Sequence, residues 1–122
     1  MSKVCAVLDQ VEKTTEKDAI LVTIGSGKKV FSSGMDLKVW AKSSAHKVLS
    51  VTMLQMMCAK ILTLNVPTLC VFNGHAIAGG AMIGMVHDDI IMVDNSKFML
   101  WLNEINNKVP IPWGTMKLVM ET

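Results

Sequence analysis

The stretch from Val71 to Val86, VFNGHAIAGGAMIGMV, sets Gly74, Gly79, Gly80 and Gly84 in an uncharged and otherwise apolar segment. Glycine inside a regular element costs about 0.5–1 kcal/mol relative to alanine. A segment that carries four must need bare backbone, either for close approach of two chain segments or to present N–H groups in an apolar setting. Any fold for this chain has to bring something against that backbone.

The elements around it read as α/β. Val4, Val7, Leu8 and Val11 follow helical spacing, with Glu12, Lys13, Glu16 and Lys17 polar. Ala19 to Ile24 is a continuous apolar run, the pattern of a strand buried on both faces. Gly25 to Lys29 is a turn; a phosphate-binding loop fails on spacing, because Val22 stands where its first glycine belongs. Val30 to Leu37 then leaves the sheet as a small-residue loop. A long helix is expected over Ala45–Leu64, its stripe of Val51, Leu54, Cys58 and Ile61 widened by Leu49, Met53, Met56 and Met57 until it is buried on several sides. Asn65-Val66-Pro67 ends it. Thr68–Phe72 is a second buried strand, Gly80–Met85 a short helix, and Ile90–Val93 and Phe98–Leu100 are strands around an Asp-Asn-Ser turn. Pro112 and Trp113 open a last helix. This order implies one largely parallel sheet in a single domain over 1–122.

Composition narrows the function classes. A net charge of +2 gives no case for nucleic acid, and all twelve basic residues are lysines, so an anionic ligand meets point charges and backbone amides rather than guanidinium forks. Cys5, Cys58 and Cys70 form no C-x-x-C pair, which fits a reducing compartment better than a disulfide framework or a zinc site. His75, His87, Asp88 and Asp89 lack metal-ligand spacing, so no metal is expected. No window reaches the ~18 apolar residues of a membrane span, and no targeting signal is visible. The hydrophobic content of 51% is high for a chain of 122 residues, so apolar surface is expected to face a partner or a further part of the fold.

Two small-residue loops, Ser32-Ser33-Gly34 and Ala78-Gly79-Gly80, each follow a predicted strand. If they converge, their N–H groups make a site for a developing oxyanion; if they are only tight turns, glycine relieves sterics. The pattern alone leaves both readings open. The motifs decide between them. Phe31-Ser32-Ser33-Gly34-Met35-Asp36-Leu37 resembles the F-[AS]-x-G-x-D-[LI] segment of the crotonase superfamily, the enoyl-CoA hydratases and isomerases. Pro67-Thr68 through Asn73-Gly74-His75-Ala76-Ile77-Ala78-Gly79-Gly80 resembles its second segment. The resemblance extends from about Val4 to Met120.

That resemblance implies a crotonase (ClpP-like) spiral core of repeated β-β-α units, lacking the N-terminal strands and C-terminal helices of longer members. It implies an acyl-CoA thioester as ligand, coenzyme A entering only as part of the substrate, with Ser33 and Gly79 as oxyanion donors facing one cavity. Phe31, Gly34, Asp36, Ala78, Gly80 and Met82 fall on substrate-binding positions, with Met82 in or beside an apolar wall; Lys38, just after the first loop, reads either as a solvated lysine or as one that meets a CoA phosphate. Hydratases of the family carry two glutamates. Here the first position is Met82 and the second matches Glu104, in a segment similar to the plant peroxisomal Δ3-Δ2-enoyl-CoA isomerases. One carboxylate fits a double-bond shift better than hydration. The remaining readings are a hydratase and an inactive scaffold subunit. Family assembly implies a trimer-based homo-oligomer or a place in a larger complex, and a mitochondrial or peroxisomal location.

Overall fold

The chain winds as a spiral in which each turn contributes one strand to each of two sheets and then a helix. The computed structural model describes residues 2–13, 18–104, 106 and 108–121. The first sheet is ordered β1-β3-β5, from Leu21–Ile24 (β1), Thr68–Phe72 (β3) and Asp89–Met92 (β5). The second is ordered β2-β4-β6, from Val30–Ser32 (β2), His75–Ile77 (β4) and Leu100–Trp101 (β6). Every pairing is parallel, with Ile24 beside Val71, Cys70 beside Ile90 and Ala76 beside Leu100. The helices are Ser2–Glu12 (α1), Leu37–Trp40 (α2), Ser44–Leu62 (α3), Gly79–Met85 (α4) and Trp113–Glu121 (α5). Among the described residues no helix is long and apolar enough to cross a membrane.

The single sheet expected from the element order is therefore two. Val30–Ser32 does not leave the sheet as a loop; it enters the second one, and His75–Ile77 pairs with it. Strands of three residues are too short to show a period of two, so neither was legible as a strand. β5 and β6, read as neighbours around one turn, lie in different sheets.

Glycine and asparagine at the spiral's corners explain how successive turns stack. Asn73 accepts from the Gly25 N–H at 3.1 Å and donates to the carbonyls of Gly25 and Gly27 at 2.7 and 2.9 Å. A side chain on Gly74 would stand 2.5 Å from the Lys29 carbonyl carbon, so the two corners meet backbone on backbone. Asp88 makes the equivalent tie between β3 and β5, accepting from Thr68 N–H at 2.8 Å and Thr68 Oγ1 at 2.9 Å.

The core lies between α1, α3 and α4, where Leu8, Leu54, Met57, Ile61, Met82 and Val86 are buried together. α3 is capped by Ser43, whose hydroxyl accepts from the His46 N–H. Its buried residues are Leu54, Met57 and Ile61. The expected burial on several sides is not found: Val48 is 67% exposed, and Leu49, Met56 and Leu62 are exposed too. Its packing partners are α1, α2 and α4, which leave much of the helix uncovered. β1 departs in the same way. Val22 and Ile24 are exposed while Leu21 and Thr23 are half-buried, because only one face of this edge strand is covered. A second small cluster, Cys70, Phe72 and Ala76, is closed by Phe31, whose ring meets Phe72 edge-on at 5.0 Å. Glu16, Lys17 and Ile105 lie outside the described residues.

Asn73→Ala removes three hydrogen bonds at one corner and should lower stability by about 1–3 kcal/mol, read as a fall in urea midpoint at constant slope. An unchanged midpoint would show that the corner stacks without it.

Candidate functional site

The site is built where the end of β2 meets the end of β4. Gly34 adopts φ 87°, and a Cβ there would lie 3.0 Å from the Ile77 carbonyl and 3.1 Å from the Gly79 nitrogen. On Gly80 a Cβ would come within 2.5 Å of the Ser32 carbonyl oxygen. The two small-residue loops thus touch backbone to backbone, and any larger residue at these positions would drive them apart.

Ala78 carries the strain of this junction. Its φ of 52° and ψ of −127° lie outside the regions that a Cβ favours, a conformation worth roughly 1–3 kcal/mol that the surroundings must hold. They do so at both ends of the residue: the Ala78 N–H donates to the Trp101 carbonyl at 2.8 Å, and its carbonyl accepts from Met82 at 3.1 Å. The turn leaves Gly79 as the first residue of α4, where an N–H has no intrahelical acceptor. Among the described residues, no loop, turn or cap bond uses the Ser33 or Gly79 N–H.

Two cavities flank the junction. A small one, about 90 Å³, is walled by Ser33, Met35, Trp40, Ala78, Glu104 and Val109 among others. A larger one, about 440 Å³, is walled by Phe31, Gly34, Asp36, Leu54 and Gly79 among others. Ser33 and Gly79, expected on one cavity, line different ones here, with Gly34 between them in the chain contact. Glu104 is only 7% exposed, and its Oε2 is buried without a hydrogen-bond partner among the described residues. Its backbone carbonyl accepts from Val109 at 3.0 Å, which closes the loop that carries it. An isolated glutamate before an asparagine-rich loop reads as a surface residue; this one is turned inward.

The other expected residues are placed unevenly. Asp36 lines the larger cavity and also caps α2, accepting the Lys38 N–H at 2.8 Å. Lys38 itself is exposed and walls neither cavity. Gly80 is buried behind Ser32. Met82 is 2% exposed and walls neither cavity itself; it lies beside the larger one, packed in the core with Leu54 and Met57, which line it, because α4 turns that face toward α3. Met35, Trp40 and Val109, which the sequence reading did not single out, complete the small cavity.

The titratable groups nearby have structural work. His87 is buried; its Nδ1 faces the carbonyls of Ile83 and Gly84 at 2.9 and 3.2 Å, and Nε2 lies 2.8 Å from Thr23 Oγ1. It therefore joins α4 to β1 as a neutral ring that donates from Nδ1 and accepts at Nε2. His75 accepts the Met99 N–H and packs edge-on against Phe98. Burial pushes the thiols of Cys58 and Cys70 up to about 11, so neither supplies a thiolate at neutral pH.

Residues 1–117 match the family described as enoyl-CoA hydratase/isomerase. Enoyl-CoA delta isomerase 3 of Arabidopsis thaliana is 32% identical over 117 residues, which is 92% of this chain and 48% of that protein. Peroxisomal enoyl-CoA delta isomerase 2 of the same plant is 29% identical, again over 92% of the chain and 48% of the relative. Among solved structures, human mitochondrial delta3-delta2-enoyl-CoA isomerase superposes with a TM-score of 0.88 over 99% of this chain and 47% of that one, at 23% identity. A hydratase/isomerase family protein from Pseudomonas syringae gives 0.84 at 28% identity, over 96% of this chain and 49% of its own. The chain spans about half the length of the curated relatives it matches.

Burial lowers the His87 pKa from its ordinary 6.5, against the opposing pull of the Ile83 and Gly84 carbonyls and of Asp88. The folded state thus keeps the ring neutral where the unfolded chain takes a proton. Its contribution is complete above pH 6.5 and is lost as pH falls below that value. The Thr68 hydrogen bonds lower the Asp88 pKa from 3.8, so a second loss follows in more acid solution. The urea midpoint should be flat above pH 6.5, fall below it, and fall less in His87→Gln. A wild-type midpoint independent of pH between 7 and 5 would contradict this.

Proposed function

Since this chain belongs to the enoyl-CoA hydratase/isomerase family, we propose that its site shifts the double bond of a 3-enoyl-CoA to give the trans-2-enoyl-CoA. The observation that carries the reading is Glu104: a buried carboxylate with one oxygen unpartnered among the described residues, on the same small cavity as Ser33 and Ala78. The N–H groups of Ser33 and Gly79, used by no loop, turn or cap bond among the described residues, hold the thioester oxygen at the junction between the two cavities. Glu104 takes a proton from C2. The electron pair passes through the enolate, whose charge rests on the thioester oxygen, and Glu104 returns the proton at C4 while the double bond moves to C2–C3. No atom is gained or lost, so no cofactor beyond the CoA of the substrate is called for.

Hydration needs a second acid–base group on the other side of a bound water. The position that would supply it is Met82, a thioether sealed in the core. This disfavours the hydratase reading. A third cavity of about 580 Å³ shares Trp40 and Val109 with the small one and is lined mainly by apolar residues such as Val51 and Ile111. It offers the acyl chain room beyond the reacting carbons. The same reading takes the location to be peroxisomal or mitochondrial, as the names of several relatives have it.

A second reading, a structural subunit with little activity, is favoured by the exposed apolar faces of β1, β5 and α3. Both readings place those faces against like subunits or a larger partner. Light scattering should therefore give a mass above that of one chain. A well-behaved monomer would remove the assembly part of either reading.

The assay follows 3-enoyl-CoA isomerisation and crotonyl-CoA hydration in parallel. The wild type should isomerise and hydrate poorly. Glu104→Gln should lose at least about a hundredfold in isomerisation, the low end of what a general acid–base contributes, and still bind the acyl-CoA through the backbone N–H groups. Full isomerisation by the variant, or strong hydration by the wild type, would mean that another group moves the proton.

A further inference from the structure

We infer that Trp40 is a positioning residue for Glu104, acting through one water held between the indole N–H and Oε2; the inference rests on the isomerase reading of Glu104. The two side chains bring complementary needs to one place. The Trp40 Nε1 is buried without an acceptor and the Glu104 Oε2 is buried without a donor, among the described residues. Both residues wall the same cavity of about 90 Å³. A buried donor and a buried acceptor left unmatched are each costly, and native interiors rarely tolerate them. A water satisfies both at once, accepting from the indole and donating to the carboxylate. The cavity exceeds the roughly 10–15 Å³ that a single water requires, and since neither atom is open to a water-sized contact as the side chains stand, a small turn of the two side chains seats it between them.

The helix that carries the indole is held in a defined place relative to the first loop. Asp36 accepts the Lys38 N–H on its side chain and the Val39 and Trp40 N–H groups on its carbonyl, at 3.1 and 3.2 Å, so α2 is tied to the loop that presents Ser33. The terminal torsion of a glutamate is broad and nearly two-fold, so without a fixed donor the carboxylate plane turns freely. A donor on Oε2 sets that plane and leaves Oε1 as the oxygen that exchanges the proton. The tryptophan itself neither gives nor takes the proton.

The experiment has one arm independent of activity. The indole N–H signal of Trp40 is assigned by its disappearance in Trp40→Phe, apart from those of Trp101 and Trp113. It should be protected from solvent exchange in the wild type, and should shift and lose protection in Glu104→Leu and, to a smaller degree, in Glu104→Gln. The signals of Trp101 and Trp113 should stay. In the second arm, Trp40→Phe keeps the ring in the wall without the donor. Its kcat should fall roughly tenfold or more, as for loss of a hydrogen bond to a charged group, while KM changes by less than about twofold. A Trp40 signal indifferent to both Glu104 variants overturns the coupling, and unchanged kcat in Trp40→Phe overturns its role. A wild type inactive toward 3-enoyl-CoA overturns the isomerase reading instead, and the indole signal then decides the coupling by itself.

Discussion

The structure depends on the contact between two stretches of bare backbone. The Ser32-Ser33-Gly34 and Ala78-Gly79-Gly80 loops come so close that a Cβ on Gly80 would lie 2.5 Å from the Ser32 oxygen and one on Gly34 3.1 Å from the Gly79 nitrogen. That contact fixes the distance between consecutive turns of the spiral at the end of the second sheet. It also decides what the junction can do, since it brings peptide N–H groups of both loops together, with the Ser32 hydroxyl accepting that of Gly34. Strain at Ala78 is the counterpart: the residue is held at positive φ by the Trp101 and Met82 hydrogen bonds. The same bonds set where the Gly79 N–H points. Fold and site are consequences of one steric requirement.

Packing around that junction is one-sided. Met82, Leu54, Met57 and Ile61 seal the space between α4 and α3, and the Phe72 ring lies so near Gly84 that a Cβ there would be 2.0 Å from it. On the far faces, Val22, Ile91 and Met56 are exposed. The interior is therefore firm next to the site, where oxyanion geometry demands precision, while the outer sheet face and the outer side of α3 offer apolar surface for association. This is the crotonase fold, and its β-β-α repeat lets one such junction be formed by residues some 45 positions apart in sequence.

The sequence displayed some of this and hid the rest for physical reasons. The long helix, Thr68–Phe72 and the two glycine loops were legible because period, β-branching and glycine placement all agreed. β2 and β4 were not, being three residues each and paired only with strands far along the chain. Burial was overread: the apolar runs in β1 and α3 reported hydrophobicity faithfully but could not say which neighbour covers them. Met82 was correctly seen as unable to move a proton, yet its place in the core came only from the packing of α4 on α3. Glu104 was found by resemblance to a family, not by its local pattern, since nothing in Asn103-Glu104 marks a carboxylate that turns inward. Trp40 escaped because its significance lies in an indole nitrogen that has no partner among the described residues, which no spacing rule registers.

The central claim is that the two loops bind one thioester oxygen while Glu104 faces the acyl carbons. A crystal structure of the protein with an unreactive 3-enoyl-CoA analogue tests it most directly. The account predicts the carbonyl oxygen about 2.7–3.1 Å from the nitrogens of both Ser33 and Gly79, with a Glu104 oxygen in contact with C2 and within reach of C4. A thioester bound away from either nitrogen, or an acyl chain that leaves Glu104 untouched, would contradict it.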